Sequence, residues 1–201
     1  MSHRYVALEG IEGVGKSTIA ALLAEALRSH GYDVVEVREP GGTTAGEEIR
    51  KVLLTPGGRL SPWTEALLFA AARAQLAAEV VGPALEAGRA VVGDRSVYSS
   101  LAYQGAGRGL GVEAVRAVNA AGLGGVWPGT VILLRLDPRA GLARQAIADR
   151  IGAEGVDFQA RVADAFDALA AAEPERFVVV TASQPPEDVV AVAEKAVLER
   201  W

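Results

Sequence analysis

Gly10-Ile11-Glu12-Gly13-Val14-Gly15-Lys16-Ser17 is the stretch on which the fold turns. It matches the spacing G-x-x-x-x-G-K-[ST], and its flanks are the ones this spacing requires. Tyr5–Glu9 is a short apolar run that reads as a strand, and Ile19, Leu22, Leu23, Ala26 and Leu27 form one helical stripe behind the loop. Gly31 stands where that helix should stop. Glycines let backbone N–H groups converge on phosphate oxygens, and the helix N-terminus adds the positive end of its dipole. Gly10, Glu12, Gly13, Val14, Gly15, Lys16, Ser17 and Thr18 are therefore expected to bind ATP phosphates. Lys16 should reach the β- and γ-phosphates, and the Ser17 hydroxyl should ligate Mg2+.

Outward from this loop, strand and helix patterns alternate. Strands are expected at 5–9, 33–37, 90–94, 130–136 and 177–180. The continuous run Val131-Ile132-Leu133-Leu134 suggests a strand buried on both faces, as in parallel sheets. Ser61-Pro62 reads as cap and first turn of a long helix reaching Leu85, with further helices over 112–121, 139–148, 157–172 and 187–199. Repeated β-then-α order implies a three-layer α/β fold, a parallel sheet with helices on both faces. No repeat or linker divides the 201 residues, so one domain over 1–201 is expected.

Composition removes several classes. The chain has no cysteine, which excludes disulfide scaffolds, thiolate nucleophiles and Cys-bound zinc and suits a reducing cytoplasm. A net charge of −5 argues against a broad nucleic-acid surface. No apolar stretch approaches the roughly 18 residues of a membrane span, and the N-terminus is too short and too early interrupted by Glu9 for a signal peptide. A soluble cytoplasmic protein is expected.

A phosphate loop alone serves GTPases, motor ATPases and small-molecule kinases. No Asn-Lys-x-Asp guanine reader occurs, since the only lysines are Lys16, Lys51 and Lys195, and a small kinase is favoured. Asp94 ends the apolar strand Ala90–Asp94, where such folds place the carboxylate that orients Mg2+ or its water. The segments Arg38-Glu39-Pro40-Gly41-Gly42-Thr43, Leu68-Phe69-Ala70-Ala71-Ala72-Arg73, Asp94-Arg95 and Ser99-Ser100-Leu101-Ala102-Tyr103-Gln104-Gly105 follow in the order and spacing of bacterial thymidylate kinases. The resemblance runs from about Tyr5 to the C-terminal helix.

What this resemblance implies is a five-stranded parallel P-loop kinase fold, a homodimer, and transfer of the ATP γ-phosphoryl group to thymidine monophosphate, with Mg2+ as cofactor. Carried over by position, Phe69 would stack on thymine and Arg73, one turn later, would donate to its O4. Ser100 and Gln104 would approach the base, Pro40 would line the substrate, and Tyr103 would lie beneath the sugar and crowd a ribose 2′-OH. Glu12 would meet the 3′-OH, while Arg50 and Arg95 would clamp the acceptor phosphate.

The pattern departs from the family in the lid, near 144–155, which is several residues short and offers only Arg144 and Arg150. Arg150 is expected to act in catalysis and Arg144 to bind ATP. Gly152 replaces an acid, and Thr181-Ala182-Ser183 stands in place of Asp-Ala-Ser. A related kinase with another acceptor base, and a nucleotide-binding regulator without turnover, are the alternatives.

Overall fold

The computed structural model describes residues 4–144 and 150–201. Five strands form one parallel sheet: β1 (Tyr5–Glu9), β2 (Val34–Arg38), β3 (Ala90–Asp94), β4 (Thr130–Arg135) and β5 (Phe177–Thr181), in the order β2-β3-β1-β4-β5. The register aligns Leu8 with Asp94 across β1 and β3, and Leu8 with Ile132 across β1 and β4. Alternation along β1 sends Val6 and Leu8 into one core and Tyr5 and Ala7 into a second on the opposite face. The sheet is therefore covered on both sides, which is why its central strands are apolar throughout.

The helices are α1 (Lys16–Ser29), α2 (Thr44–Leu54), α3 (Pro62–Leu76), α4 (Gly82–Glu86), α5 (Val97–Ser100), α6 (Val112–Leu123), α7 (Pro138–Ala143), α8 (Val156–Ala172) and α9 (Pro186–Leu198). Helix α1 buries Ile19, Ala20, Leu23, Ala24 and Leu27 against the sheet and ends before Gly31, whose φ of 86° continues no right-handed helix. Ser61 caps α3 by accepting the Thr64 N–H at 3.2 Å, with Pro62 as the first helical residue. Helix α2 lay unforeseen between the expected elements; Thr43 caps it by accepting the Gly46 N–H at 3.0 Å.

Three expectations change in detail. The long helix to Leu85 is interrupted by a π-helical turn at Ala77–Val81, just ahead of Gly82-Pro83. Proline has no N–H and its ring collides with the carbonyl four residues back, so an inserted residue relieves both problems. The stretch Pro62–Glu86 is also long and apolar enough by composition to cross a membrane, contrary to expectation. It carries buried, paired Glu65 and Arg73 and packs against α2 and α6, which makes it a core helix. Finally, Tyr103-Gln104-Gly105 lies within a π-helical segment, Leu101–Gly107, where the sequence patterns gave no helix. The helix expected over 139–148 begins as α7; its remainder at 145–149 lies outside the described residues.

Candidate active site

The chain leaves β1 at Glu9 and β3 at Asp94, two neighbouring strands whose carboxyl ends open on the same side of the sheet. Ligands of open α/β sheets bind in such a crevice. A cavity of about 410 Å3 lies there, lined by Glu12, Gly13 and Gly15–Thr18 from the loop, by Pro40 and Arg50, by Phe69 and Arg73, and by Asp94–Arg95, Ser100, Tyr103 and Gln104. Segments distant in sequence thus meet at one wall. Val14, buried in the core, and Gly10, with a φ of 140°, do not line the cavity.

The phosphate loop is packed so closely that one glycine has no substitute. A Cβ on Gly13 would sit 1.9 Å from the Gly141 carbonyl oxygen, and φ there is 74°. Glu12 N–H donates to Gln159 Oε1 at 3.3 Å, which ties the loop to α8. Lys16 folds over the loop, donating to the Gly10 and Ile11 carbonyls at 3.1 and 2.7 Å. Burial, aided by the neighbouring Arg95 charge, pulls its ammonium from 10.5 down to about 8. An anion at the loop would reverse that depression. Ser17 Oγ donates to Asp94 Oδ2 at 2.5 Å.

This pair fits Mg2+. The described residues contain no cluster of three acidic or histidine groups that could cage a metal. A Mg2+ ion held by one hydroxyl, one carboxylate, water and nucleotide phosphates needs no such cage. Ser17 and Asp94 are the two side chains that would hold it.

Arg95 follows Asp94 in the cavity wall. It has a φ of 74°, alone among the described non-glycine residues in that region. Its Nη2 donates to Glu12 Oε1 at 2.5 Å and its Nη1 to Ser99 Oγ at 3.1 Å, with the guanidinium carbon 5.1 Å from the Tyr103 ring centre. Burial works to raise the Glu12 carboxyl, but Arg95 and then Lys16 outweigh it and hold it below its ordinary range. The Tyr103 hydroxyl donates to Glu12 at 3.3 Å, and its ring packs against Phe158 and Phe166. Burial first, then Glu12, pushes the phenol far above its usual value, so it stays a neutral donor.

The strained turn at Arg95 is gripped by a residue the sequence did not single out. Glu9, fully buried, accepts from Ser96 N and Oγ at 2.8 and 2.7 Å and from Ser99 N and Oγ at 3.1 and 2.6 Å. The available signal was a carboxylate at the end of an otherwise apolar strand. Arg50 donates from Nη1 to the Pro40 carbonyl at 2.7 Å, beside a cis Glu39–Pro40 bond.

On α3, Glu65, Phe69 and Arg73 are spaced by four and share the buried face. Arg73 donates to Glu39 Oε2 at 2.6 Å, Asn119 Oδ1 at 2.5 Å and the Ser96 carbonyl at 3.3 Å. Three of its five N–H groups are thereby committed, and its head is locked in place. The Ser100 hydroxyl is fully buried, lines the cavity and has no partner among the described residues. An orphan buried hydroxyl in a cavity wall is a ligand contact in waiting. Glu39 and Asn119 were missed because their role is to hold another side chain.

The two lid arginines are held by different partners. Arg144 Nη1 donates to the Ala182 carbonyl at 3.1 Å, next to Thr181 and Ser183. Arg150 does not line the cavity. Its Nη1 meets Glu65 Oε2 at 2.7 Å and its Nε donates to the Leu53 carbonyl at 2.8 Å, with only 9% of the side chain exposed. A buried guanidinium finds its lowest energy beside a buried carboxylate, and Glu65 offers one.

Comparisons with known proteins agree with this geometry. The thymidylate kinase family model matches residues 8–192. Thymidylate kinase of Deinococcus radiodurans is 46% identical over 199 residues, covering 98% of this chain and 97% of that protein. That of a Synechococcus strain is 48% identical over 187 residues, 93% and 90% of the two chains. The crystal structure of thymidylate kinase from Ehrlichia chaffeensis matches with a TM-score of 0.82 at 30% identity, covering 98% of this chain and all of that one. A phosphate loop opening on an arginine-lined cavity, and a family match across nearly the whole length, lead to one assignment: the chain belongs to the thymidylate kinase family.

Proposed function

We infer that this protein transfers the γ-phosphoryl group of ATP to thymidine monophosphate, giving thymidine diphosphate for dTTP synthesis. The observation that carries the inference is one cavity joining Lys16 and Ser17 of the phosphate loop to Phe69, Arg73, Ser100 and Gln104. In this reading Phe69 stacks on the base, Arg73 donates to O4, and Ser100 and Gln104 contact its edge. Tyr103 lies against C2′ of the sugar, beside Pro40, and Glu12 meets the 3′-OH.

A phosphate monoester is already ionised at neutral pH, so the acceptor needs no general base. The obstacle is repulsion between anions, about 3 kcal/mol per pair of unit charges at about 5 Å and an effective dielectric of about 20. Lys16, Arg50 and Arg95 offset it while aligning donor and acceptor. Mg2+ on Ser17 and Asp94 supplies further charge neutralisation when bound. Arg144, against the 181–183 loop, is proposed to contact ATP. For Arg150 the buried pair with Glu65 supports a structural role over the catalytic one expected from sequence.

A homodimer is also proposed. Val52 on α2 and Trp63 and Leu67 on the adjoining α3 are exposed apolar side chains, which a second copy would cover. ATP and nucleoside monophosphates are cytoplasmic metabolites, and that location is proposed with them.

A coupled ADP-release assay with the thymidine, deoxyuridine and deoxycytidine monophosphates and free thymidine tests the inference. Thymidine monophosphate should be the best acceptor. Deoxyuridine monophosphate, short of one methyl worth about 1–3 kcal/mol, should be a slow one. A higher kcat/KM on free thymidine or on the cytosine nucleotide would refute the assignment.

A further inference from the structure

Behind the base pocket lies a cluster of charges. Glu65, 2% exposed at its side chain, accepts through Oε1 from Gln104 Nε2 at 2.8 Å and Arg108 Nε at 3.2 Å. Its Oε2 accepts from Arg108 Nη2 at 3.1 Å and Arg150 Nη1 at 2.7 Å. Arg108 also pairs with Glu154 at 2.6 Å, so two carboxylates balance two guanidiniums. Burial alone would push the Glu65 carboxyl up; the hydrogen bonds from Arg108, Gln104 and Arg150 outweigh it and hold it below its ordinary range. Glu65 is therefore a carboxylate, an acceptor at both oxygens and a donor at neither.

That property has a consequence for Gln104. An amide has a donor end and an acceptor end, and an acceptor-only neighbour selects which one faces it. Glu65 takes the NH2 of Gln104, so the carbonyl oxygen is left as the polar end of a residue that lines the cavity. Among the described residues, nothing donates to it. Arg73, on the same wall, keeps two N–H groups uncommitted. The wall thus offers donors from Arg73 and an acceptor from Gln104. Thymine presents the complement, a carbonyl O4 beside N3–H. Cytosine presents the reverse, an amino group beside a bare ring nitrogen.

We propose that Glu65, held between Arg108 and Arg150, is a specificity-determining positioning residue: it fixes the Gln104 amide with its carbonyl oxygen toward the base and so selects N3–H over an unprotonated ring nitrogen. Glu65 touches no substrate; it acts through Gln104. The proposal rests on the thymidine monophosphate reading above.

Glu65→Gln makes the test specific. One amide oxygen replaces two carboxylate oxygens, and the two guanidiniums that donate to Oε2 claim it. The new NH2 then takes the Oε1 position, gives up the weaker 3.2 Å bond from Arg108 Nε and faces Gln104, which must turn its carbonyl toward it and present its own NH2 to the cavity. The readout is the ratio of kcat/KM for thymidine monophosphate to that for deoxycytidine monophosphate. It should fall by at least about tenfold, with activity on the thymine nucleotide lowered and on the cytosine nucleotide raised. If Glu65→Gln does not fold, Glu65→Asp keeps the charge facing both arginines and withdraws the oxygen from Gln104. The same ratio should then fall because the amide is free to take either orientation. Equal losses on both nucleotides, or an unchanged ratio, in a folded variant would overturn the proposal. Failure of the wild-type protein to phosphorylate thymidine monophosphate would instead sink the reading beneath it.

Discussion

Replacing Arg95 by alanine and, separately, by glycine isolates the backbone conformation on which the acceptor site is built. Both variants delete the same guanidinium, with its bonds to Glu12 and Ser99, and they differ only by one Cβ. At an ordinary position glycine is the less stable of the two, by about 0.4–1 kcal/mol, because it enlarges the unfolded ensemble. At φ 74° a Cβ meets the following carbonyl oxygen, which costs about 1–2 kcal/mol. Subtraction leaves the glycine variant more stable than the alanine variant by about 1 kcal/mol. For an unfolding slope of about 2–3 kcal/mol per molar urea, the midpoints should differ by about 0.4 M. Turnover should fall about 100-fold or more in both, since each loses a cation proposed to hold the acceptor phosphate. Urea denaturation followed by circular dichroism gives the stability difference, and ADP release gives the rate. An alanine variant more stable than the glycine variant would refute the strain argument. Activity within tenfold of wild type in either would remove Arg95 from the chemistry. The strain persists because Glu9 over-determines the turn with four hydrogen bonds, the pattern expected where a backbone outlier serves a site.

Three other outcomes follow from the site. Lys16 has a lowered pKa near 8 in the free protein, so its desolvation destabilises the fold fully below pH 8 and is relieved as pH rises from 8 toward 10.5. Bound phosphates demand the charged form, so ATP affinity should weaken about tenfold from pH 7 to pH 9, with proton uptake on binding; calorimetry showing no buffer-dependent enthalpy near pH 8 would refute this. Tyr103→Ala should narrow the preference for deoxyribose over ribose about tenfold, whereas equal loss on both sugars in competitive kinetics would make the ring structural. Arg150→Met should lower stability by about 1–3 kcal/mol, less than for an isolated buried pair because Arg108 still faces Glu65, and leave the KM for ATP within about threefold. A hundredfold drop in kcat at unchanged stability would return Arg150 to catalysis.

What the chain order alone settled was most of what has local physics, helix α2 excepted. Eight contiguous residues, with a strand before and a helix after, carry the phosphate loop, because converging N–H groups need only glycine freedom and a helix start. Apolar runs and helical stripes located the sheet and its layers to within a residue or two at most ends. Four spaced motifs carried the family, since Phe69 and Arg73, or Tyr103 and Gln104, are near neighbours on one element.

Other features exist only where distant segments meet. Nothing near Glu9 announces the serines about 90 positions later that it binds, and nothing near Arg150 announces Glu65, 85 positions earlier. The Asp149-Arg150-Ile151 match to the family points to Arg150 as the catalytic lid arginine. The fold gives it a buried carboxylate partner that the match does not announce. The same carboxylate turns one end of Gln104 toward the base, a choice no residue count could contain. Covalent neighbours are written in the chain, and their interactions are short-ranged enough to read there. The partner of a buried charge is decided by tertiary packing, because only the closed structure removes the water that would otherwise solvate it.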